Sequence, residues 1–244
     1  MNAPRLQTRA LGLAPEGPPL PDLELGAGHT LLLLDADAAR ARRLLRCLAG
    51  LESPASGEIR RLPATGVLEA TWLEPGIHLI DSLSTRENLL LPARHHGLPP
   101  SLIESRLDEL CTDRETLRDP HLLPGLLDAT RYQRVLCARS LLLAPGLLAL
   151  HHPLAGLAPD AAEALLQWLH DAARKLDIGL VLSLQDPLQA AWLEDTPILL
   201  LDDSGGILLT DWPALLDSAR PAAQDIRDRL CRPCRDQSQP PVPS

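Results

Sequence analysis

The sequence of 244 residues contains no phenylalanine, one tyrosine and four tryptophans, so aromatic rings can form little of its core. Hydrophobic residues nevertheless make up 45% of the chain, which is enough for one large α/β domain built mainly on leucine and alanine. Lys175 is the one lysine, and every other basic residue is arginine. This bias is more typical of genome composition than of a particular function.

Positive charge and long apolar runs are also lacking. Lysine and arginine number 23 against 32 acidic residues, a net charge of −9, which argues against a nucleic-acid partner because such proteins usually present a basic face. No apolar run approaches the roughly 18 residues that a membrane helix needs. The N-terminal residues contain no apolar signal segment. The sequence therefore predicts a cytoplasmic chain without a membrane span.

The chain has five cysteines, and an odd number without a secretory signal argues against a disulfide framework. Cys231 and Cys234 have the CxxC spacing, but they lie in a charged, proline-rich tail without a second pair. We interpret them as exposed thiols rather than as a zinc or redox site.

Apolar runs and amphipathic stretches alternate along the chain, which predicts a mainly parallel sheet covered by helices. Residues 38–49 are expected to form a helix, and Ser84 with Glu87 forms a capping-box pattern at the start of another. We predict a single domain over residues 1–231, with a helical subdomain at about 88–140. Residues 232–244 are predicted to be a disordered tail.

Four segments resemble the ATP-binding subunits of ABC transporters. The sequence "LLRCLAGLESPASGEI" at 44–59 resembles the stretch after their phosphate loop, and "RENLLLPARHHGLP" at 86–99 the stretch after their glutamine loop. The sequence "YQRVLCARSLLLAPGLLAL" at 132–150 resembles the helix and strand after the signature motif, and "HPLAGLAP" at 152–159 resembles the D-loop region. The resemblance covers residues 23–225 and implies an α/β fold with a mixed sheet and an inserted helical subdomain.

The chemical positions of that family are replaced here. A phosphate loop of this class has glycines for close approach to phosphate, a lysine for its charge and a hydroxyl for magnesium. The aligned stretch is "DADAARARR" at 35–43, which has neither glycine nor lysine and brings in Asp35 and Asp37. The equivalent positions that follow Asp35 are Ala38, Arg40, Ala41, Arg42 and Arg43.

The other motifs are replaced as well. The glutamine-loop position falls on Leu73 or Glu74. The signature equivalents are Leu127, Asp128, Ala129, Thr130 and Arg131; the second acidic motif is His151 and His152; and the switch histidine is Gln185. We therefore expect no catalytic residue and no resident cofactor, with ATP and magnesium relevant only to an alternative in which Arg42 and Arg43 serve a divergent site.

The two histidines could suggest a metal site. Adjacent strand residues point to opposite faces, so we expect that His151 and His152 cannot chelate one ion, and we predict no metal site.

The resemblance also implies a docking surface, because in this family a short permease helix fits beside the glutamine loop. That surface maps here to about 73–88, and the candidate docking residues are Ile77, Leu79, Ile80 and Leu83. The implied partners are a membrane permease, a paralogous ATPase subunit, or both, at the inner face of the membrane. A homodimer would also be consistent with the family, but it would contain no intact ATP site.

The predicted function is that of a catalytically degenerate, scaffold-like or regulatory subunit of an ABC transport system. The stretch "IDSLSTRENLLLPARHHGL" at 80–98 resembles the branch that serves lipid transport of the mammalian-cell-entry class. Two alternatives stay open: a divergent ATP-binding or ATP-hydrolysing subunit, and an interaction module without a transporter.

Overall fold

The computed structural model describes residues 4–62, 68–111 and 119–231. The strands in these ranges are β1 (Pro4–Gly12), β2 (Glu24–Gly26), β3 (Thr30–Asp35), β4 (Ser56–Arg61), β5 (Ala70–Leu73), β6 (Leu147–His151), β7 (Gly179–Ser183), β8 (Ile198–Asp202) and β9 (Gly205–Leu209). The helices are α1 (Ala38–Ala49), α2 (Thr85–His95), α3 (Pro100–Leu110), α4 (Ala129–Leu141), α5 (Pro159–Lys175), α6 (Trp212–Asp217) and α7 (Pro221–Cys231).

Two sheets form the framework. The larger has the strand order β5-β6-β7-β3-β8-β9, in which the first five strands are parallel and β9 is antiparallel to β8. The smaller is antiparallel, with the order β2-β1-β4. The predicted α/β fold with a mixed sheet is confirmed, whereas β9 was not predicted. It follows a tight turn after Asp202.

The uninterrupted leucines of β3 reflect burial on both faces of the larger sheet. Leu31 and Leu33 point into one core, together with α1 and the smaller sheet. Leu32 and Leu34 point into the other core, with α4 and α5. Because both faces are covered, the carboxyl ends of the parallel strands are the exposed edge at which loops can assemble a site.

Helix α1 lies between the two sheets, and four of its five buried residues, Ala41, Leu44, Leu45 and Leu48, fall on one face and pack in the same core. Burial of one leucine side chain contributes roughly 1.5–3 kcal/mol. This face holds the helix against the larger sheet.

The segment between β5 and β6 carries α2, α3 and α4. The capping box of Ser84 and Glu87 at the start of α2 is confirmed. Helix α3 ends at Leu110, and residues 112–118 lie outside the described ranges, as do the predicted tail at 232–244 and Cys234. Throughout the described ranges, no helix is both long enough and apolar enough to cross a bilayer.

Candidate functional site

The sheet topology brings most of the predicted site positions to one edge. Asp35 ends β3, Glu74 follows β5, His151 ends β6 and Gln185 follows β7, and these strands are neighbours in the parallel part of the sheet. A cavity of about 660 Å³ at this edge is lined by Asp35, Ala38, His152 and Gln185, among others. The equivalents of the phosphate loop, the second acidic motif and the switch therefore come together.

The loop after β3 is filled by the chain's own carboxylates. The Asp35 side chain is fully buried and accepts two hydrogen bonds from the Arg40 guanidinium, from Nε and Nη2, both at 2.7 Å. It also accepts the backbone N–H of Asp37 at 2.8 Å. Asp37 in turn caps α1 by accepting the N–H of Ala39 at 2.9 Å. In a phosphate loop, amides in such positions bind a phosphate, whereas here they bind internal anions.

Arg40 is the centre of this loop. Its guanidinium also lies 3.3 Å from the exposed carboxylate of Asp203 in the turn after β8. The hydrogen bonds to Asp35 raise the pKa of Arg40 above its ordinary value, so this guanidinium stays charged. The cation nearest to the phosphate-loop position is therefore already neutralised.

A second cluster joins α1 to the glutamine-loop position. Arg42 donates to the Glu74 carboxylate through Nε and, at 3.0 Å, through Nη2. Arg46, one turn further along α1, lies 3.4 Å from the same carboxylate and donates to Glu52 at 2.5 Å. The hydrogen bond from Arg42 lowers the pKa of Glu74 below its usual value, so this carboxylate is ionised at neutral pH.

Arg43 differs from its neighbours. Its side chain is exposed and, within residues 4–62, 68–111 and 119–231, it makes no side-chain hydrogen bond or ion pair. Among the described residues, it is thus the one arginine of the loop equivalents that is not paired with a carboxylate.

An arginine side chain also binds the free carbonyl groups at the C-terminal end of α1. Arg61 of β4 donates to the carbonyls of Leu48 and Cys47, both at 2.6 Å. Gly50 ends the helix with φ 83°, a left-handed conformation that favours glycine. With Asp37 at one end and Arg61 at the other, both ends of α1 have the charges that its dipole favours.

The two histidines correct one expectation. The strand ends at His151, and His152 has a left-handed backbone with φ 49°, so the alternation of side chains stops there. Their rings stack with centroids 4.0 Å apart instead of pointing to opposite faces. Even so, no group of three or more potential metal ligands occurs in the part of the chain that the structure describes.

His151 is a buried, neutral residue. Burial lowers the pKa of His151 to about 4, and its Nδ1 lies 2.8 Å from the Ser183 hydroxyl of β7. Its ring also stacks near Trp72 at a centroid distance of 6.3 Å. Where the second acidic motif would present an anion to magnesium, this chain has an uncharged ring packed between strands.

The signature equivalents lie at the start of α4. Asp128 caps this helix by accepting the N–H of Arg131 at 2.9 Å. Arg131 lies 3.4 Å from Asp119, and Leu127 packs against the core. Ala129 and Thr130 form the first turn of the helix. These residues serve the helix itself.

The docking candidates divide by exposure. Ile80 is 41% exposed, whereas Leu79 is 3% exposed and packs in the core. Ile77 is partly buried against that core, and Leu83 is half-buried. Ile80 is therefore the candidate with the most surface for a partner, and Leu79 has almost none.

Asn88 was not singled out from the sequence, although it holds this segment together. Its side chain is fully buried, accepts the N–H of Ile80 at 2.7 Å and donates to the carbonyls of Ile80 and Leu83, both at 3.0 Å. The position of Asn88 in the first turn after Ser84 was the available signal, since a buried amide there can bind the loop before the helix.

The donor set at the sheet edge does not fit ATP with magnesium. The hydroxyl position carries the Arg42 guanidinium, which is paired with the carboxylate of Glu74 at or beside the glutamine-loop position. The loop amides bind Asp35 and Asp37, and the position of the acidic ligand holds neutral His151. A hydrated magnesium ion requires oxygen ligands, and the phosphates require free amides and a free cation.

Comparison with known proteins identifies the family. The chain is 31% identical over 210 residues to the aliphatic sulfonates import ATP-binding protein SsuB 2 of Pseudomonas savastanoi pv. phaseolicola, covering 86% of this chain and 75% of the relative. It is 32% identical over 210 residues to SsuB 1 of Pseudomonas syringae pv. tomato, covering 86% and 74%. A scan against protein-family models finds no match.

Solved structures show the same fold. The structure of an ATP-binding subunit of an ABC transporter matches with a TM-score of 0.66 and 23% identity, over 84% of this chain and 90% of that one. The structure of cbiO1 from Clostridium perfringens matches with a TM-score of 0.70 and 17% identity, over 84% and 88%. The chain belongs to the family of ATP-binding subunits of ABC transporters, as the sequence predicted.

Proposed function

We propose that this chain is a catalytically degenerate member of its family that serves an ABC transport system as a scaffold or regulatory subunit. The observation that carries the proposal is the Arg40 fork on the buried carboxylate of Asp35, at 2.7 Å for each hydrogen bond. It places an internal ion pair in the loop where a phosphate would have to enter.

The chemistry of hydrolysis supports the same conclusion. Phosphoryl transfer depends on positioned magnesium, on cations around the phosphates and on a group that orients water. The corresponding positions hold Arg42 paired with Glu74, Ala41 in place of lysine, and His152 in place of glutamate. Restoring turnover would require several of these positions to change together.

The proposed partner is a membrane permease, alone or together with a paralogous ATPase subunit. Ile80 is exposed on a segment that Asn88 holds by hydrogen bonds at 2.7 and 3.0 Å, so an apolar anchor stands on a fixed backbone. A docked helix is typically held by a few such anchors. A scaffold subunit would need this surface even without ATP chemistry.

The transported substrate is a further part of the proposal. The stretch at 80–98 supports lipid transport of the mammalian-cell-entry class, whereas two relatives are named for the import of aliphatic sulfonates. Transport assays with a permease that co-purifies with this chain would decide between a lipid and an organic sulfonate.

The first experiment is a titration of the purified chain with a labelled ATP analogue, with and without magnesium, together with a turnover assay. We expect no saturable binding and no hydrolysis. Magnesium-dependent turnover that persists in repurified protein and disappears in an Arg42→Ala, Arg43→Ala double variant would support the divergent-ATPase alternative instead.

The second experiment tests docking. Ile80→Glu should lower recovery of the chain with membranes that contain its permease, while circular dichroism stays unchanged. Leu208→Glu is the matched control, because Leu208 is also 41% exposed but lies on β9, at the opposite edge of the sheet from β5. Equal recovery of the two variants would refute the docking site, and absence of wild-type protein from every membrane fraction would favour the interaction-module alternative.

A further inference from the structure

The pair of Arg42 and Glu74 connects two parts of the chain that are 32 residues apart. Arg42 stands where the family has the hydroxyl that holds magnesium, and Glu74 stands at the glutamine-loop position, whose amide holds the same ion. In this chain the two positions contact each other directly. Arg46 adds a second guanidinium 3.4 Å from the same carboxylate.

The Arg42 guanidinium supplies a positive charge between the two loops, as a bound cation would. A planar guanidinium can bind both oxygens of a carboxylate, which fixes orientation as well as distance. Arg42 donates to Oε2 of Glu74 through Nε and to Oε1 of Glu74 through Nη2. Because Arg42 lowers the pKa of Glu74, both partners stay charged at neutral pH and the contact needs no added ion.

The contact bears directly on the exposed segment that follows Glu74. Hydrogen bonds attach this segment to its neighbours at four residues. Glu74 is bonded to α1, the carbonyl of His78 to Arg139 at 3.2 Å, the N–H of Leu79 to the Tyr132 hydroxyl at 2.9 Å, and the N–H of Ile80 to Asn88 at 2.7 Å. The last three are contacts with the helical segment, and among these bonds the one at Glu74 ties residues 74–80 to α1.

We propose that Arg42 is a positioning residue that takes the place of the family's metal ion and holds the segment 74–80 permanently against α1. A subunit that depends on magnesium makes this connection only while the ion is bound, whereas here the connection is independent of nucleotide. This proposal rests on the proposed function: in a scaffold subunit, Arg42 would hold the docking surface around Ile80 continuously in one position.

The size of the interaction decides which measurement can detect it. The Arg42 side chain is 50% exposed and Glu74 is 13% exposed, so the pair contributes little to the free energy of global unfolding. Its effect is local, on opening of the segment. Amide hydrogen exchange at Ile77, Leu79 and Ile80, whose N–H groups are all hydrogen-bonded, measures that opening residue by residue.

The experiment compares wild type with Arg42→Ala, Glu74→Gln and their double variant, and uses Arg43→Ala as the control for loss of a neighbouring exposed arginine. We expect exchange at the three amides to accelerate roughly two- to fivefold in Arg42→Ala. The acceleration should be at least as large in Glu74→Gln, which also loses the ion pair between Glu74 and Arg46. The double variant should exchange no faster than Glu74→Gln, and Arg43→Ala should match wild type.

Wild-type exchange at these amides should also stay unchanged on addition of magnesium and ATP. Equal exchange in wild type and Arg42→Ala, or slower exchange of wild type with magnesium and ATP, would overturn the inference. A wild-type chain that fails to associate with permease-containing membranes would overturn the proposed function, while the exchange result would still decide whether Arg42 holds the segment.

Discussion

Arg40 donates two hydrogen bonds of 2.7 Å to the Asp35 carboxylate, which is completely shielded from solvent. Both residues belong to the stretch that replaces the phosphate loop. The pair closes the turn between β3 and α1 from within, so the turn keeps its shape without a ligand.

Asp35→Ala should therefore destabilise the fold by about 2–3 kcal/mol, because it leaves the Arg40 guanidinium without its main acceptor. Urea unfolding followed by circular dichroism measures the change. Asp217→Ala, which removes an exposed carboxylate at the end of α6, should shift the midpoint little. A similar loss of unfolding free energy in the two variants would show that the pair of Asp35 and Arg40 does not stabilise the fold.

His151 makes the protein sensitive to acid. Burial lowers the pKa of His151 to about 4 from an ordinary value of 6.5, so between these two values the unfolded chain binds more protons than the folded one. Stability should fall as the pH falls from 6.5 to 4, by up to about 3 kcal/mol from this residue. In His151→Gln the decrease should be smaller, as measured by urea unfolding at several pH values. Parallel profiles for wild type and variant would contradict the assignment.

Asn88 is expected to be the most sensitive polar residue of the docking segment. Asn88→Ala removes one acceptor and the donors to three carbonyls from a fully buried position, and should cost about 2–4 kcal/mol. Thermal unfolding of Gln167→Ala, an exposed amide on α5, provides the control. If Asn88→Ala unfolds at the temperature of that control, the hydrogen bonds to 80–84 are not important for stability.

Nucleotide binding should be recoverable by grafting. A chain in which residues 35–43 are replaced by a glycine- and lysine-bearing phosphate loop, combined with Glu74→Gln, loses the internal anions and the Arg42 pair together. At a hundredfold excess over the dissociation constant, ATP with magnesium should raise Tm by roughly 5–10 °C. The same graft with alanine in place of its lysine should show a smaller shift. A folded graft that shows no shift would mean that the alignment at 35–43 is wrong.

Local patterns in the sequence were sufficient to predict many of the helices and strands and to identify the family. Helix α1 was predicted at 38–49 and found at Ala38–Ala49, because its apolar face and its limits are set by residues within a few positions of one another. The cap at Ser84 and the cap at Asp128 follow from the same short-range hydrogen bonding. The order and spacing of the motif equivalents then sufficed to identify the fold.

Only the tertiary structure could decide how the replaced residues are used. The sequence shows that lysine and glycine are missing, but the partners of Arg42 and Arg40 depend on which strand ends meet at the sheet edge, and Glu74 and Asp203 are distant in sequence. The left-handed backbone of His152 and the burial of Leu79 beside exposed Ile80 likewise arise from packing against neighbouring elements. The sequence by itself therefore determined the scaffold, because helices and strands follow local periodicity, whereas long-range contacts decided what fills the site.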